Sequence, residues 1–255
     1  MLYLMAFVGG AMIGSFLNVC IYRLPAGESI VFPSSHCPAC GVPISYRDNI
    51  PLLGYLLLRG RCRACGGAIS LRYPLVEALT GVAMVLLLYQ FGVSPALVVY
   101  GFFVAALIVI SFIDLDHQII PDVISLPGIV VGLVCSALGQ GPPFVASVLG
   151  ALAGGGILYA VAVGYHAITG REGMGGGDIK LLAMIGAFLG WRAVLVTLLV
   201  GSFSGALVGV ALIAARGTDA RMPIPFGPFL ALGAVCALAF GERLIEWYLR
   251  FAFAM

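Results

Sequence analysis

Stretches of uncharged, apolar residues close to bilayer length recur along almost the whole of this 255-residue chain. A hydrocarbon core of about 30 Å, climbed at a rise of about 1.5 Å per helical residue, calls for roughly 20 such residues. Eight segments are candidates: 2–22, 74–91, 95–115, 123–138, 144–166, 179–189, 193–215 and 226–240, the fourth and sixth of them short. Turn-rich breaks at 92–95, 140–143, 170–177 and 216–225 separate them. Hydrophobic residues make up 62% of the chain and charged ones 9%, against about 45–50% and 25% in soluble domains. So few charges cannot coat a water-soluble globule. That excludes a soluble enzyme, a disordered chain and a secreted disulfide scaffold. A net charge of +2 gives no footprint for nucleic acid. The expected fold class is an all-α polytopic membrane protein of about eight transmembrane helices, with membrane lipid as its solvent.

The first apolar run has no basic region before it and no small-residue cleavage site, so 1–22 reads as a first membrane span and not as a removed signal peptide. One connection, 23–73, is far longer than the others and reads as a small soluble domain; 74–255 then forms the main membrane body. Lys and Arg accumulate in cytoplasmic loops. Placing 23–73 there puts Arg23, Arg47, Arg59, Arg61, Arg63, Arg72, Arg171, Lys180, Arg216 and Arg221 on the cytoplasmic side. Only Arg192, Arg243 and Arg250 fall opposite, so the N-terminus is expected outside. The mixed stretch 241–255 reads as an interfacial segment.

The long loop carries Cys37-Pro38-Ala39-Cys40 and Cys62-Arg63-Ala64-Cys65. Two such CxxC knuckles can present four thiolates tetrahedrally to zinc, and Gly41 and Gly66 follow them where a knuckle turn tolerates positive φ. A zinc-ribbon-like loop domain held by a structural zinc on Cys37, Cys40, Cys62 and Cys65 is the leading reading. Paired disulfides, disfavoured in a reducing cytoplasm, and redox-active CxxC pairs are the alternatives. Cys20, Cys135 and Cys236 lie in apolar spans and read as packing residues.

Ionisable groups at the spans are costly and so point to function. Asp114 closes an apolar run, and Asp178 follows Gly175-Gly176-Gly177. In the eight-span topology both stand at cytoplasmic helix ends, where they could meet. Two neighbouring carboxylates share one proton, so one can take a proton from water while the other donates to a scissile carbonyl. Gly176 and Gly177 would let an extended substrate backbone come close. Blander readings stand beside this one. Asp122 reads as a helix cap, Asp116 as a solvated charge, and Glu77 either as an ion-pair partner of Arg72 or as the lining of a polar pocket. There is no H-E-x-x-H and no Walker A lysine, and no histidine follows His166 to serve a serine nucleophile in the later spans. A proton-coupled transporter is the competing class, but no internal repeat is evident.

Taken together, the motifs resemble the bacterial type IV prepilin peptidases, the leader peptidases of type IV pili and type II secretion. The likeness rests on Gly14-Ser15-Phe16-Leu17-Asn18-Val19, Tyr22-Arg23-Leu24-Pro25, the double CxxC loop with Asn49-Ile50-Pro51, and Arg72-Tyr73-Pro74-Leu75-Val76-Glu77. It continues through Ile113-Asp114, Ile120-Pro121-Asp122 and Gly175-Gly176-Gly177-Asp178-Ile179-Lys180. The resemblance implies an inner-membrane enzyme that removes the basic leader of prepilins and pseudopilins after a glycine, on the cytoplasmic side. It then N-methylates the new N-terminal residue with S-adenosylmethionine. On this resemblance Asp114 and Asp178 match the catalytic aspartates, and the four cysteines match a zinc tetrad found in many members. No glycine-rich nucleotide loop follows a strand, and no residues are assigned to the methyl donor.

Overall fold

The computed structural model describes residues 1–171, 173–216 and 224–253, without the side chains of 216, 242, 245 and 247–253. Arg221, most of the 216–225 break, the side chain of Arg250 and the last two residues of 241–255 lie outside the described residues. The helices are α1 (Leu2–Arg23), α2 (Leu53–Leu57), α3 (Arg72–Phe91), α4 (Pro95–His117), α5 (Asp122–Ala137), α6 (Phe144–Thr169), α7 (Gly176–Leu189), α8 (Trp191–Arg216) and α9 (Gly227–Phe253). Among the described residues there is no strand, only the isolated bridges His36–Pro43 and Arg61–Ala68. Each of the eight apolar segments read from the sequence is a helix. Five of them, α1, α3, α4, α6 and α8, are long and apolar enough to cross a membrane. Helix α9 continues past the apolar segment without a break to Phe253, so the mixed stretch after 240 is helical as well.

The chain divides into two compact units, 1–109 and 110–255. In the first, α1 lies against α3 through a Gly-x3-Gly pair. A Cβ on Gly10 would stand 2.8 Å from Gly81 Cα, and one on Gly14 would stand 2.7 Å from Glu77 Cα. Such close backbone approach is how helices associate where lipid supplies no hydrophobic drive. Asn18 Nδ2 then donates to the Tyr73 carbonyl at 3.1 Å, fixing the loop-side ends of the two helices. Arg23 served as an orientation charge in the sequence, yet it is buried, 5% exposed. Its guanidinium donates to the carbonyls of Ser29 (2.9 Å) and Pro33 (2.7 Å), so it ties the loop to the end of α1.

In the second unit the organising element is α7. Its 14 residues span about 21 Å, too short for a bilayer. It is also enclosed by protein: Leu181, Leu182, Ile185 and Ala187 are all 0% exposed. Helix α6 packs on it backbone to backbone, since a Cβ on Gly150 would strike the Gly186 carbonyl and a Cβ on Gly186 the Gly150 carbonyl. Ser147 Oγ donates to the Ala187 carbonyl in the same seam. On the α5 side, Gly132 leaves room for Phe188, whose ring would lie 2.9 Å from an added Cβ. The large apolar residues of α8 behave oppositely, with Leu199 74% and Phe203 72% exposed, as a lipid-facing helix requires.

Gly150→Val or Gly186→Val therefore forces α6 from α7, and a loss of roughly 1–3 kcal/mol or more is expected. Thermal denaturation in detergent should show it. Gly156→Ala, at a position with nothing within 4 Å, should leave the midpoint unchanged.

Candidate active site and cysteine cluster

Asp114 occupies the last turn of α4, where the helix dipole opposes a negative charge. The fold compensates from another helix. The Gly227 amide, the first of α9, donates to Asp114 Oδ2 at 2.9 Å, and the carboxylate thereby sits at the positive end of α9. Asp114 is 5% exposed. The approach leaves no room for a side chain, since a Cβ on Gly227 would lie 2.7 Å from Oδ2. Sequence reasoning missed Gly227. The Phe226-Gly227-Pro228 start of an apolar run signals a helix N-terminus, but not which anion it faces.

Asp178 lies in the first turn of α7, near that helix's positive end, with its amide bonded to the Gly175 carbonyl at 3.2 Å. It is half-buried. The structure thus places the two acids, far apart in sequence, at helix ends of the same compact unit. The glycines separate in role. Gly176 has nothing within 4 Å and stays open, whereas Gly177 abuts Ile120, whose Cβ would be 2.8 Å from an added Cβ. Asp122 does not cap α5, whose N-cap residue is Pro121 and makes no side-chain cap bond. It pairs instead with Lys180 of α7, whose Nζ lies 2.7 and 2.8 Å from its two oxygens. This pair closes α5 on α7 within one turn of Asp178. Asp116 is exposed.

Glu77 belongs to the first unit. Buried to 8% exposure, it accepts the Leu52 amide at 2.8 Å and a hydrogen bond from Ser15. Leu52 makes that bond from a positive φ of 62°, a costly conformation for a leucine.

The four-cysteine loop folds as two like knuckles. Gly41 (φ 71°) returns its amide to the Cys37 carbonyl at 2.8 Å, and Gly66 (φ 69°) returns its own to the Cys62 carbonyl at 2.9 Å. The four Sγ atoms all lie within 4.8 Å of one another, with Cys37 and Cys65 3.9 Å apart. Four thiolates about 2.3 Å from a tetrahedral ion stand about 3.8 Å from each other, so the residues present fit a metal. The amides of Cys65 and Ala64 pull the Cys62 thiol down to about 7, which favours a thiolate ligand at neutral pH. Arg63, inside the second knuckle, grips Asp48 through Nε (2.9 Å) and Nη2 (2.7 Å).

This fold and site define a multi-pass helical membrane protein with two acids at helix ends of one unit and a loop of four thiols able to hold a metal. Comparison with known proteins narrows the class. The family models described as "Bacterial Peptidase A24 N-terminal domain" and "Type IV leader peptidase family" match residues 8–91 and 101–210. A prepilin leader peptidase/N-methyltransferase of Aeromonas salmonicida is 39% identical over 96% of this chain and 93% of its own. One of Pseudomonas aeruginosa is 38% identical over 95% and 92%. One of Myxococcus xanthus is 44% identical over 83% of this chain and 63% of its own. No solved structure matches. The chain belongs to the prepilin leader peptidase/N-methyltransferase family and is an enzyme of the peptidase class; the transporter reading finds no support.

The purified chain is expected to carry one soft divalent metal, measured by elemental analysis, and to lose it in Cys37→Ser and Cys62→Ser. Arg63 also sets a pH response. Its hydrogen bonds hold the Asp48 carboxyl below the ordinary value of 3.8, so the pair supports the loop above that value and fails as pH falls through the lowered one. Limited proteolysis of the loop should accelerate only in strong acid, and Arg63→Gln should remove that step.

Proposed function

We propose that this protein cleaves the leader peptide from type IV prepilins and type II secretion pseudopilins at the cytoplasmic face of the bacterial inner membrane, and then N-methylates the exposed residue. The observation that carries the reading is the placing of Asp114, held by the Gly227 amide at 2.9 Å, and of Asp178, in the first turn of α7, within one compact unit, on a chain whose relatives are named for both activities. The N-terminus is periplasmic and the cysteine loop cytoplasmic in this reading, supported by the excess of Lys and Arg on the loop side. Zinc held by Cys37, Cys40, Cys62 and Cys65 keeps the loop folded and takes no part in catalysis, since four cysteines leave no open coordination position.

The chemistry follows from the pair. One aspartate, ionised, takes a proton from a water molecule as its oxygen attacks the scissile carbonyl. The other, protonated, donates to the carbonyl oxygen, giving a neutral gem-diol. Collapse returns a proton to the leaving amine nitrogen as the C–N bond breaks, and the pair is left sharing one proton again. Gly227 holds Asp114 in place throughout, by its amide at 2.9 Å. Gly176, open at the mouth of α7, admits the substrate's extended backbone; Gly177 sets the seat of α7 against Ile120. The substrate's apolar stem lies among lipid-exposed helices, and its basic leader remains in water.

Asp114→Asn and Asp178→Asn should each abolish cleavage of a purified prepilin by the detergent-solubilised protein, with mass spectrometry locating the cut after the leader glycine. Normal cleavage by either variant would sink the dyad. Gly227→Ala keeps both acids but displaces Asp114, and turnover should fall by about tenfold or more, with little change in KM.

A further inference from the structure

A short connection between α4 and α5 joins Asp114 to Asp122. Gln118 adopts a left-handed φ of 54° there, and its amide closes α4 on the Asp114 carbonyl at 2.9 Å. Few residues other than glycine hold that conformation, and here it ends α4 one turn past the first acid. Ile119, Ile120 and Pro121 then lead into α5, where the Ser125 hydroxyl and amide both return to the Pro121 carbonyl, at 3.2 and 3.1 Å. The connection is thus tied to Asp114 at one end and to α5 at the other.

The same segment grips α7 on both sides of Asp178. Buried Ile120 abuts Gly177, where an added Cβ would stand 2.8 Å from the isoleucine Cβ. Asp122 holds Lys180 Nζ with both carboxylate oxygens, at 2.7 and 2.8 Å. Gly177 and Lys180 flank Asp178 in the sequence, so the first turn of α7 is clasped before and after its acid. Further along the seam Gly128 meets Met184 and Gly132 meets Phe188. Those contacts set a spacing, whereas a charge pair also fixes the rotation of the helix end. The two side chains are 37% and 54% exposed, and an ion pair so exposed adds little to folding stability.

From this geometry we propose that Asp122 and Lys180 are positioning residues for peptide hydrolysis, a clasp that sets the first turn of α7, and Asp178 on it, at a fixed place relative to Asp114. The inference rests on the two-acid reading of the proposed function. The clasp acts through the connection: its start is capped on the Asp114 carbonyl, and its end holds Lys180. Asp122 and Lys180 exchange no proton with the substrate. Their part is to keep two acids on different helices within reach of one water and one carbonyl, where a misplacement of about 1 Å can cost two orders of magnitude in rate. Loosening the clasp leaves the packed seam below it in place, so the loss falls on turnover and not on folding or substrate affinity.

A double-mutant cycle on prepilin cleavage tests this, with the detergent-solubilised full chain carrying Asp122→Asn, Lys180→Met or both, and thermal denaturation run beside the kinetics. Each single variant should lose about tenfold or more in kcat, with KM and the melting midpoint nearly unchanged. The double variant should lose no more than the worse single one, because the two groups act as a unit. Lys180→Arg, which can still hold both oxygens of Asp122, should keep most of the turnover. Normal kcat in either single variant would overturn the clasp, as would losses that multiply in the double variant. A change carried by KM would mean direct substrate contact, and a fall in kcat that tracks the melting midpoint would mean support of the fold alone; either would overturn it too. All of these outcomes leave the two-acid reading standing, which fails separately if Asp114→Asn or Asp178→Asn cleaves normally.

Discussion

The seam between α6 and α7 is where the second unit is won or lost. Lipid tails are as apolar as leucine, so helices inside a bilayer gain nothing by hiding leucines from it and must hold together by close packing and polar contacts. Gly150 and Gly186 bring two backbones together, and Ser147 adds a hydrogen bond to the Ala187 carbonyl at the same place. A helix of 14 residues cannot cross a membrane unaided. Enclosed by neighbours it does not have to, and its first turn can then sit at a chosen depth with Asp178 on it. The glycines of α6 are thus the remote condition for the position of Asp178.

Placing the other acid raises an electrostatic difficulty that the fold answers directly. Asp114 stands at the C-terminal end of α4, where unsatisfied carbonyls repel a carboxylate. Water could relieve that at an open surface, but Asp114 is almost wholly buried. The first amide of α9 replaces water with a fixed donor, and the α9 dipole replaces the unfavourable α4 field with a favourable one. Asp178 has the positive end of its own helix. The two acids therefore have different supports: one is anchored by a neighbouring helix, the other carried on a glycine-led turn with open space at Gly176.

What could be read before the structure follows the same physics. Apolar runs, breaks and the cysteine spacing are local properties, so the eight helices and the two knuckles were legible. Asp114 and Asp178 were legible because an acid beside a span has few bland explanations. Asp122 was read as a cap because Pro121 precedes it, and nothing local reveals that its partner is Lys180 on another helix. Gly227 was invisible for the same reason: its meaning lies in a carboxylate on a distant segment. Arg23 looked like a topological charge, and only the folded loop shows that its guanidinium holds carbonyls. The apolar run stops at 240 while α9 continues to Phe253, because helix geometry does not require uniform hydropathy.

Hydrolysis and methyl transfer also make opposite demands, which bears on why one chain would hold two unlike sites. Peptide hydrolysis consumes a water and passes protons between two acids, so its site must be wet at one point and rich in shared protons. Methyl transfer to an amine requires that nitrogen be neutral and that water not compete for the donor. A site built for the first would protonate the amine needed for the second. The two acids lie entirely within 110–255, and the four-cysteine loop lies entirely in the other unit. The order of events follows, because the amine to be methylated does not exist until the peptide bond is cut. A product that must next be methylated profits from staying in the membrane, where its apolar stem keeps it from diffusing away into water.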